Sequence, residues 1–455
     1  MQPCDASKET TGAVADGLVV WFFGNRKPGY SLFGSFTTDP QRAGRHDEFK
    51  MTASSKPQTP ASAVMKTYGR ADLSFVRGDG CWLITDDGAR YLDCASGIAV
   101  NTLGHSHPAL VEALRDQAGR LWHTSNLYRI PGQERVAAKL AELTGLDQVY
   151  FCNSGAEANE SAVKIARRAA HERGEPDRMT ILCATGSFHG RTLGMLAATD
   201  KPANRTGFGP MPTGFEHVAF GNLNALRDAL GDHVAAVMIE PVQGEGGARD
   251  AHDEYLRGVR LAADEFGALV IADEVQSGIG RTGTLFAYQT SGIRPDIIAM
   301  AKGLGGGFPV GAVIASHEVG NAMTPGTHGS TFAGNPLAMA VAEVILGEVS
   351  APGFLEDVRR RGAVLHTALN DVAARYPDAV IEVRGRGFLC GVRLADQLPA
   401  GDIVSALRAE HVLTAPAAEN TVRFLPPLII PEEEIALAVA AFDRVLAAAA
   451  GAGDR

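Results

Sequence analysis

The chain has 455 residues, of which 45% are hydrophobic and 21% charged, and its formal net charge is −10. These values are typical of a globular protein with two or three domains and a large core. The acidic balance and the lack of a basic stripe argue against a nucleic-acid partner. No apolar run reaches the roughly 18 residues that a membrane span needs, so the cytoplasm is the default location.

The first sixty residues differ from the rest. Residues 1–60 mix Thr, Ser, Pro and Gly with scattered charges and show no period, which predicts a disordered extension. The short apolar run at 18–23 lacks the pattern of a signal peptide. Met51 begins a Ser/Thr/Pro-rich stretch and Met65 precedes regular sequence, so a translation start downstream of Met1 is a hypothesis. An intact native N-terminus at Met1, found by mass spectrometry, would contradict it.

The cysteines indicate buried thiols. None form a CxxC pair, and two of them, Cys152 and Cys183, fall in apolar runs that read as strands. This usage suits a reducing compartment, and we expect no metal site. The six are Cys4, Cys81, Cys94, Cys152, Cys183 and Cys390.

Residues 61–125 are expected to contribute to a small domain. Strand-like pieces lie at 74–76, 82–85 and 91–93, with Gly-containing turns between them. A helix is predicted over 108–121, because its apolar residues fall on one face and Pro108 suits a first helical turn.

Residues 126–345 are predicted to form a large domain. Helices alternate there with apolar runs rich in Val, Ile and Ala that lack polar alternation, as expected of strands buried on both faces. This pattern predicts a mostly parallel sheet covered by helices. The runs lie at 149–152, 180–184, 235–239, 268–272, 297–301 and 310–315.

Residues 346–455 are expected to complete the small domain. A helix over 336–349, capped by Asn335, leads into this region. A helix over 358–376 precedes strands at 379–383, 387–393 and 422–424. A final Ala-rich helix follows Pro431, whose next three glutamates suit a helix start.

Ligands of open α/β sheets bind beyond the carboxyl ends of the strands. The run that ends at Cys152 is followed by Ser154, Gly155 and Ala156 at the start of a predicted helix. Free N–H groups at a helix start bind phosphate, and small residues let a ligand approach the backbone. An ordinary helix cap at Ser154 explains the same residues.

Two further runs are followed by polar loops. Within GSFHGRT, Phe188 is suited to stack on a planar cofactor and Arg191 to bind a carboxylate through two hydrogen bonds. A packed Phe and a surface Arg are the alternatives. Within EPVQGEGG, Glu240 and Glu245 among glycines indicate either a functional loop or a solvated pair.

An acid and a lysine follow the next two runs. Asp273 stands where an acid is costly unless it is paired, and a protonated pyridine nitrogen would satisfy it and become an electron sink. A loop cap or an Arg partner is the alternative. Lys302 precedes glycines, and partial burial would lower its pKa, as Schiff-base formation requires. A lone lysine there is more often on the surface, but the shared position of Asp273 and Lys302 after strands favours a cofactor site.

The segment GIGRTG at 278–283 matches the dinucleotide fingerprint GxGxxG. It follows a strand, but the polar segment 273–277 intervenes, the residues after it open a helix poorly, and no acid lies about 20 residues further on. A nicotinamide site is therefore a remote alternative. A nucleotide P-loop is excluded, because Lys302 precedes its glycines instead of ending them.

Six motifs in order resemble the class III (ω-amino acid) aminotransferases of pyridoxal 5′-phosphate (PLP) fold type I: NSGAEANESAVKIAR, FHGRT, EPVQGEGG, ADEVQSGIGRTG, AKGLGGGFPVGA and GTHGSTFAGNP. The resemblance covers about 68–448. It implies an α/β fold: a large domain with a mostly parallel seven-stranded sheet, and a smaller α+β domain from both chain ends. Within the class, GIAVNTLGHSHP, LWHTSN and RFLPPLII are most similar to the acetylornithine aminotransferases of arginine biosynthesis.

The resemblance assigns cofactor roles to matching residues. Lys302 would carry PLP as a Schiff base and act as the catalytic base and acid. Asp273 would pair with the pyridine nitrogen, Gln276 would contact the 3′-oxygen, and Phe188 would stack on the ring.

It also implies a homodimer with shared active sites. Gly155 and Ala156 would hold the phosphate, joined by Thr331 from the partner subunit. Ser330, also donated by the partner, and Arg191 would hold the substrate, Arg191 through its α-carboxylate.

Glu245 and Arg423 resemble a switch between two substrates. Paired, they give a neutral pocket for an ω-amino substrate; separated, Arg423 is available to the α-carboxylate of glutamate. Tyr68 resembles a substrate-pocket tyrosine, although its surroundings match less well. Ile98 stands where ornithine-specific relatives tend to carry an aromatic residue.

The implied reaction transfers the δ-amine of N2-acetyl-L-ornithine to 2-oxoglutarate, giving N-acetyl-L-glutamate 5-semialdehyde and L-glutamate. Alternatives within the class act on ornithine, succinylornithine, 4-aminobutyrate, N-succinyl-diaminopimelate or carrier-bound lysine derivatives. A single substitution in an apolar pocket changes selectivity by only about 1–3 kcal/mol. A PLP-fold protein without catalysis and a nicotinamide oxidoreductase built on GIGRTG are the alternatives outside the class.

Overall fold

The computed structural model describes residues 63–453. The predicted extension at 1–60, Met51 and Cys4 lie outside the described residues. The chain divides into two units, Met1–Gly69 and Arg70–Arg455, and only residues 63–69 of the first unit are described. The described part of the first unit contains no helix or strand, and the amide of Thr67 donates to the carbonyl of Met65.

The second unit contains all the regular structure of the described residues. In chain order the strands are β1 (Arg77–Asp79), β2 (Trp82–Ile84), β3 (Arg90–Asp93), β4 (Gln148–Cys152), β5 (Thr180–Ala184), β6 (Phe215–Val218), β7 (Val234–Ile239), β8 (Val242–Gln243), β9 (Arg249–Asp250), β10 (Leu269–Asp273), β11 (Ile297–Met300), β12 (Gly311–Ala315), β13 (Val380–Arg386), β14 (Leu389–Leu394), β15 (Val412–Leu413), β16 (Ala415–Ala417) and β17 (Thr421–Phe424).

The helices lie between these strands and after the last of them. They are α1 (Ser96–Ala99), α2 (Pro108–Ala118), α3 (Pro131–Thr144), α4 (Gly155–Glu172), α5 (Leu193–Ala198), α6 (Pro202–Arg205), α7 (Leu223–Ala229), α8 (Asp253–Phe266), α9 (His317–Gly320), α10 (Pro336–Val349), α11 (Phe354–Arg375), α12 (Ala400–Ala409) and α13 (Glu432–Gly453), with 3₁₀ turns at Ala287–Ser291 and Lys302–Leu304.

The central sheet has seven strands in the order β4-β12-β11-β10-β7-β5-β6. Its pairs are parallel except that β12 runs antiparallel to both neighbours, β11 and β4. The predicted mostly parallel, seven-stranded sheet is confirmed. The edge strand β6 was not predicted, because its sequence FEHV is only partly buried and carries no continuous apolar run.

Small side chains let helix α4 lie close to one face of this sheet. Ala158, Ala162 and Ala166 recur every four residues and are fully buried. They pack against strand residues such as Cys183 and Ile271 in one apolar cluster. Helix α10 covers the opposite face, where its Ile345 joins a second cluster. Each fully buried aliphatic side chain of this size contributes roughly 1.5–3 kcal/mol.

Residues from both ends of the second unit share one core. Leu92 and Cys94 pack in the same apolar cluster as Phe388, Phe424 and Phe442. This core lies around a four-stranded sheet of order β13-β14-β17-β16 and a second sheet of order β1-β2-β3-β15. The expectation of a small α+β domain built from both chain ends is confirmed by this cluster, while the domain bounds at 125 and 345 stay predictions.

Several predicted bounds shift at the edges of this region. The strand predicted at 74–76 is wrong, since β1 begins at Arg77. The helix predicted through 121 ends at Ala118, because Gly119 follows and glycine is a poor helix former. The predicted buried thiols are confirmed for the five described cysteines, all of which are free and buried.

No single helix among residues 63–453 is both long and apolar enough to cross a membrane. One pair, Pro336–Val349 with Phe354–Arg375, meets that test only when joined, and its two halves bend by 72°.

Candidate active site

One cavity of about 370 Å³ lies beyond the carboxyl ends of the strands. Parallel strands end at the same edge of a sheet, so residues far apart in sequence meet there. Seven residues that the resemblance gives a cofactor or substrate role line it: Gly155, Ala156, Phe188, Arg191, Asp273, Gln276 and Lys302.

Helix α4 presents two unpaired amides to this cavity. Ser154 is extended and its hydroxyl accepts from the amide of Glu157 at 3.2 Å, as in an ordinary cap. Within the described residues, the amides of Gly155 and Ala156 make no hydrogen bond. A Cβ on Gly155 would lie 2.5 Å from Val275 Cγ1, so glycine permits this close approach. The turn is thus both a cap and an anion-binding helix start.

Three donors hold Asp273 in place. Its Oδ2 accepts from Asn159 Nδ2 and from His189 Nδ1, both at 2.7 Å, and its Oδ1 accepts from the amide of Val275 at 3.0 Å. Burial alone would lower the pKa of His189, but the hydrogen bond to Asp273 raises that pKa well above its usual range. Asp273 is therefore oriented as a carboxylate, and Oδ1 keeps a lone pair for a donor in the cavity.

Lys302 follows β11 at the bottom of the cavity. Its φ of 36° lies in the left-handed region, which is costly for a residue other than glycine. Among the residues that the structure describes, its ammonium makes no ion pair or hydrogen bond. Burial lowers the pKa of Lys302 and the neighbouring Arg423 adds to this, while Glu245 opposes it. An unpaired amine with a lowered pKa is suited to act as a nucleophile.

Glu245 and Arg423 form an ion pair of 2.8 Å. Arg423 is only 1% exposed, and it also donates to Gln276 Oε1 at 2.9 Å and to the carbonyl of Pro416 at 3.1 Å. Burial would raise the pKa of Glu245, but Arg423 and Lys302 lower it below its usual range. The structure thus holds the paired state, joined to the cavity through Gln276.

The remaining predicted residues lie at the rim or elsewhere. Arg191 is exposed, with its guanidinium carbon 5.6 Å from the centre of the Phe188 ring. Ser330 and Thr331 line a separate cavity of about 880 Å³, so they do not meet the cavity of their own chain. Tyr68 belongs to the unit Met1–Gly69, and its place in the site stays a prediction.

Two buried polar residues of the site, Asn159 and His189, were not identified from the sequence, and Glu240 was singled out there without a specific role. Asn159 and His189 donate to Asp273. Glu240 accepts from the amides of Phe188 at 2.9 Å and Gly244 at 3.3 Å, and burial raises the pKa of Glu240 to about 7. Asn159 was detectable, because it interrupts the alanine face of α4; the pairing of His189 left no sequence signal.

The glycine-rich segment 278–283 is not a dinucleotide site. The next regular element is the 3₁₀ turn Ala287–Ser291, so no α-helix begins after it. Arg281 is buried and donates to the carbonyls of Phe388 and Pro426. The nicotinamide alternative is therefore wrong: the segment links the large sheet to the small domain.

The donors and acceptors of the cavity fit pyridoxal 5′-phosphate. The two unpaired amides at the positive end of α4 suit its phosphate. The carboxylate of Asp273 suits a protonated ring nitrogen, and Phe188 offers an aromatic face. The unpaired Lys302 suits its carbonyl carbon. The fold and the site together define a pyridoxal-phosphate enzyme of fold type I.

The chain belongs to the class-III aminotransferases, which use pyridoxal 5′-phosphate: the model of the family "Aminotransferase class-III" matches residues 64–446. It is 49% identical to an acetylornithine aminotransferase of Agrobacterium fabrum over 390 residues, which cover 86% of this chain and 96% of that protein.

Two solved structures share this fold. The N-acetylornithine aminotransferase of Stenotrophomonas maltophilia is 36% identical, with a TM-score of 0.74 over 85% of this chain and 98% of that one. The ornithine aminotransferase of Toxoplasma gondii is 34% identical, with a TM-score of 0.82 over 86% and 93%.

Proposed function

We propose that this enzyme transfers the δ-amine of N2-acetyl-L-ornithine to 2-oxoglutarate, with N-acetyl-L-glutamate 5-semialdehyde and L-glutamate as products. The observation that carries the proposal is the closed Glu245–Arg423 pair beside the buried Lys302. While Glu245 neutralises Arg423, the pocket suits an amino donor that has no second carboxylate. Once Glu245 releases it, Arg423 can bind a carboxylate of glutamate. The acetylornithine aminotransferases similar to this chain support the choice of donor.

Lys302 is proposed to hold the cofactor and then to act as the base. When bound, pyridoxal 5′-phosphate supplies an electron sink for the charge that develops on the amine-bearing carbon. The lowered pKa of Lys302 leaves its amine able to take the proton from that carbon and to return one later. Asp273, fixed by Asn159 and His189, would keep the ring nitrogen protonated.

Arg191 and Arg423 are proposed to bind different substrate carboxylates. Arg191 lies at the exposed rim, where its guanidinium can bind the α-carboxylate through two hydrogen bonds. Arg423 would bind the α-carboxylate of glutamate once Glu245 releases it. Within the described part of the chain, the Nε atom of Arg423 is buried without a partner, and a bound carboxylate would satisfy it.

A homodimer with shared active sites is part of the proposal. Large apolar side chains remain exposed near the 880 Å³ cavity that holds Ser330 and Thr331; they include Trp122 at 65%, Leu127 at 88% and Phe332 at 62%. Large exposed apolar side chains near one cavity are typical of a protein interface. We place the enzyme in the cytoplasm. Light scattering on the purified protein tests the dimer.

A donor panel with 2-oxoglutarate tests the substrate. We expect acetylornithine to give the highest kcat/KM; a higher value with ornithine or 4-aminobutyrate would overturn that choice. Lys302→Ala should abolish the visible absorbance of lysine-bound cofactor and lower kcat by roughly 100-fold or more. Lys139→Ala, on the exposed surface beside Glu142, is the matched control and should retain both.

A further inference from the structure

His328 ties the loop that carries Ser330 and Thr331 to helix α4. Its Nε2 lies 2.9 Å from Ser161 Oγ, and its Nδ1 lies 2.8 Å from Lys164 Nζ. Its ring also packs against Tyr150 of strand β4, with ring centres 4.8 Å apart. The imidazole is thus held by α4 on both nitrogens and by β4 on one face.

Only one assignment of donors and acceptors satisfies these hydrogen bonds of His328. The ammonium of Lys164 has donors and no acceptor, so Nδ1 must accept and Nε2 must carry the hydrogen. Nε2 therefore donates to Ser161, whose hydroxyl donates to the carbonyl of Glu157 at 2.7 Å. A protonated His328 would lose its acceptor and place a second cation against Lys164, so the chain of bonds requires the neutral imidazole.

The far end of this chain of bonds is the phosphate-binding turn. Glu157 is the third residue of α4, directly after the unpaired amides of Gly155 and Ala156. A second link runs beside it, because Asn153 lines the 370 Å³ cavity and its Nδ2 donates to Ser330 Oγ at 3.0 Å. The loop and the turn are therefore joined at two points.

We propose that His328 is a positioning residue: it holds Ser330 and Thr331 in place for the partner subunit, and it links the phosphate-binding turn of one active site to the loop that completes the other. This inference rests on the cofactor and the shared-site homodimer of the proposed function. His328 touches neither cofactor nor substrate; it acts through the loop.

The charges around His328 set the pH range of this contact. Burial and Lys164 lower the pKa of His328, and Glu157 and Glu160 oppose them. The released loop, with a histidine of ordinary pKa near 6.5, binds a proton more readily than the held loop. The hydrogen bonds of His328 to α4 therefore stabilise the loop fully above that pH, and this stabilisation is lost as pH falls below it.

Cofactor affinity tests the contact directly. His328→Ala should weaken binding of pyridoxal 5′-phosphate to the stripped enzyme roughly 10-fold or more at pH 8, as expected for the loss of two hydrogen bonds, one of them charged. His328→Asn can still accept from Lys164 and cannot titrate. It should recover part of that affinity, and it should lose the weakening that wild type shows between pH 7 and pH 5.5. His233→Ala, an exposed histidine outside the loop, is the control.

Heterodimers with two affinity tags distinguish action across the interface from action within one chain. A Lys302→Ala subunit paired with a His328→Ala subunit should contain one site of wild-type affinity, because the intact lysine faces the intact loop. A wild-type subunit paired with a subunit that carries both Lys302→Ala and His328→Ala should contain one site with weakened cofactor affinity. The affinity is read from the visible absorbance of lysine-bound cofactor.

A weakened site in the first heterodimer together with a site of wild-type affinity in the second would overturn the inference. Wild-type affinity in the His328→Ala homodimer would also overturn it. Lysine-bound absorbance that survives in the Lys302→Ala homodimer would instead overturn the proposed function.

Discussion

Arg423 lies 2.8 Å from Glu245 and 2.9 Å from the side-chain oxygen of Gln276, so one buried guanidinium joins the acid of a loop to the wall of the cavity. Strand β17 carries Arg423 in the sheet of order β13-β14-β17-β16, whereas Glu245 lies in the loop after β8, between β8 and β9. A small movement of either element can therefore change the charge that a substrate meets.

Glu245→Gln should shift selectivity toward glutamate. Truncating one partner of a buried charge pair costs about 2–5 kcal/mol, and a substrate carboxylate can satisfy the arginine that remains. We expect the ratio of single-turnover rate constants, glutamate over acetylornithine, to rise roughly 10-fold or more. Glu265→Gln, which removes an exposed partner of Arg227, should leave the ratio unchanged. An unchanged ratio in Glu245→Gln would contradict the switch.

Arg191→Gln should raise KM for both the amino donor and 2-oxoglutarate, because the donor presents its α-carboxylate to Arg191 and 2-oxoglutarate presents the carboxylate that Arg423 does not bind. Loss of a charged, two-point hydrogen bond costs about 1.5–3 kcal/mol, or roughly 10- to 100-fold in KM. Arg191→Lys keeps the charge but not the planar fork, so only part of the affinity should return. Steady-state kinetics with each substrate varied in turn measures this. A change confined to one substrate would limit Arg191 to one half-reaction.

Gly155→Ala should displace the phosphate-binding turn. Its new Cβ would lie 2.5 Å from Val275 Cγ1, and overpacking of this kind costs typically about 1–3 kcal/mol. We expect weaker cofactor binding and a lower unfolding midpoint in urea. The double variant Gly155→Ala with Val275→Ala should recover much of both.

A helical glycine with open space provides the control for that substitution. Gly347 of α10 has no neighbour within 4 Å of a new Cβ, so Gly347→Ala should stabilise the protein by roughly 0.5–1 kcal/mol. If Gly155→Ala raised the unfolding midpoint in urea as Gly347→Ala does, the predicted crowding of the new Cβ against Val275 would be contradicted.

Glu240→Gln should change how stability depends on pH. Burial raises the pKa of Glu240 from 4.5 to about 7, so the folded state binds this proton more tightly than the unfolded state. Wild-type stability should therefore fall as pH rises from 4.5 to 7, by on the order of 3 kcal/mol from this group. Urea unfolding across that range should show a smaller fall in Glu240→Gln, whereas Glu240→Asp, which still titrates, should keep the slope. Equal slopes in wild type and Glu240→Gln would contradict the raised pKa.

Local sequence was enough to predict most of the sheet and the cofactor end of the site. Runs such as ILCA and LVIA are apolar on both faces, so burial in a covered sheet is their main stable outcome. The order of motifs then placed Gly155, Asp273 and Lys302 after strands. Because parallel strands end at one edge, their convergence followed from the fold class alone.

Only the tertiary structure decided how these groups are held and which charges are paired. Asn159, His189 and Glu240 are far apart in sequence, and nothing in their spacing reveals that they meet beside Asp273. The sequence by itself determined which residue types follow the ends of the strands, since an apolar run and the glycine-containing loop after it are local patterns. The side-chain partners of Arg423 and His328 come from elements more than a hundred residues away, so hydrogen bonds and pKa values in this site depend on packing that no local pattern encodes.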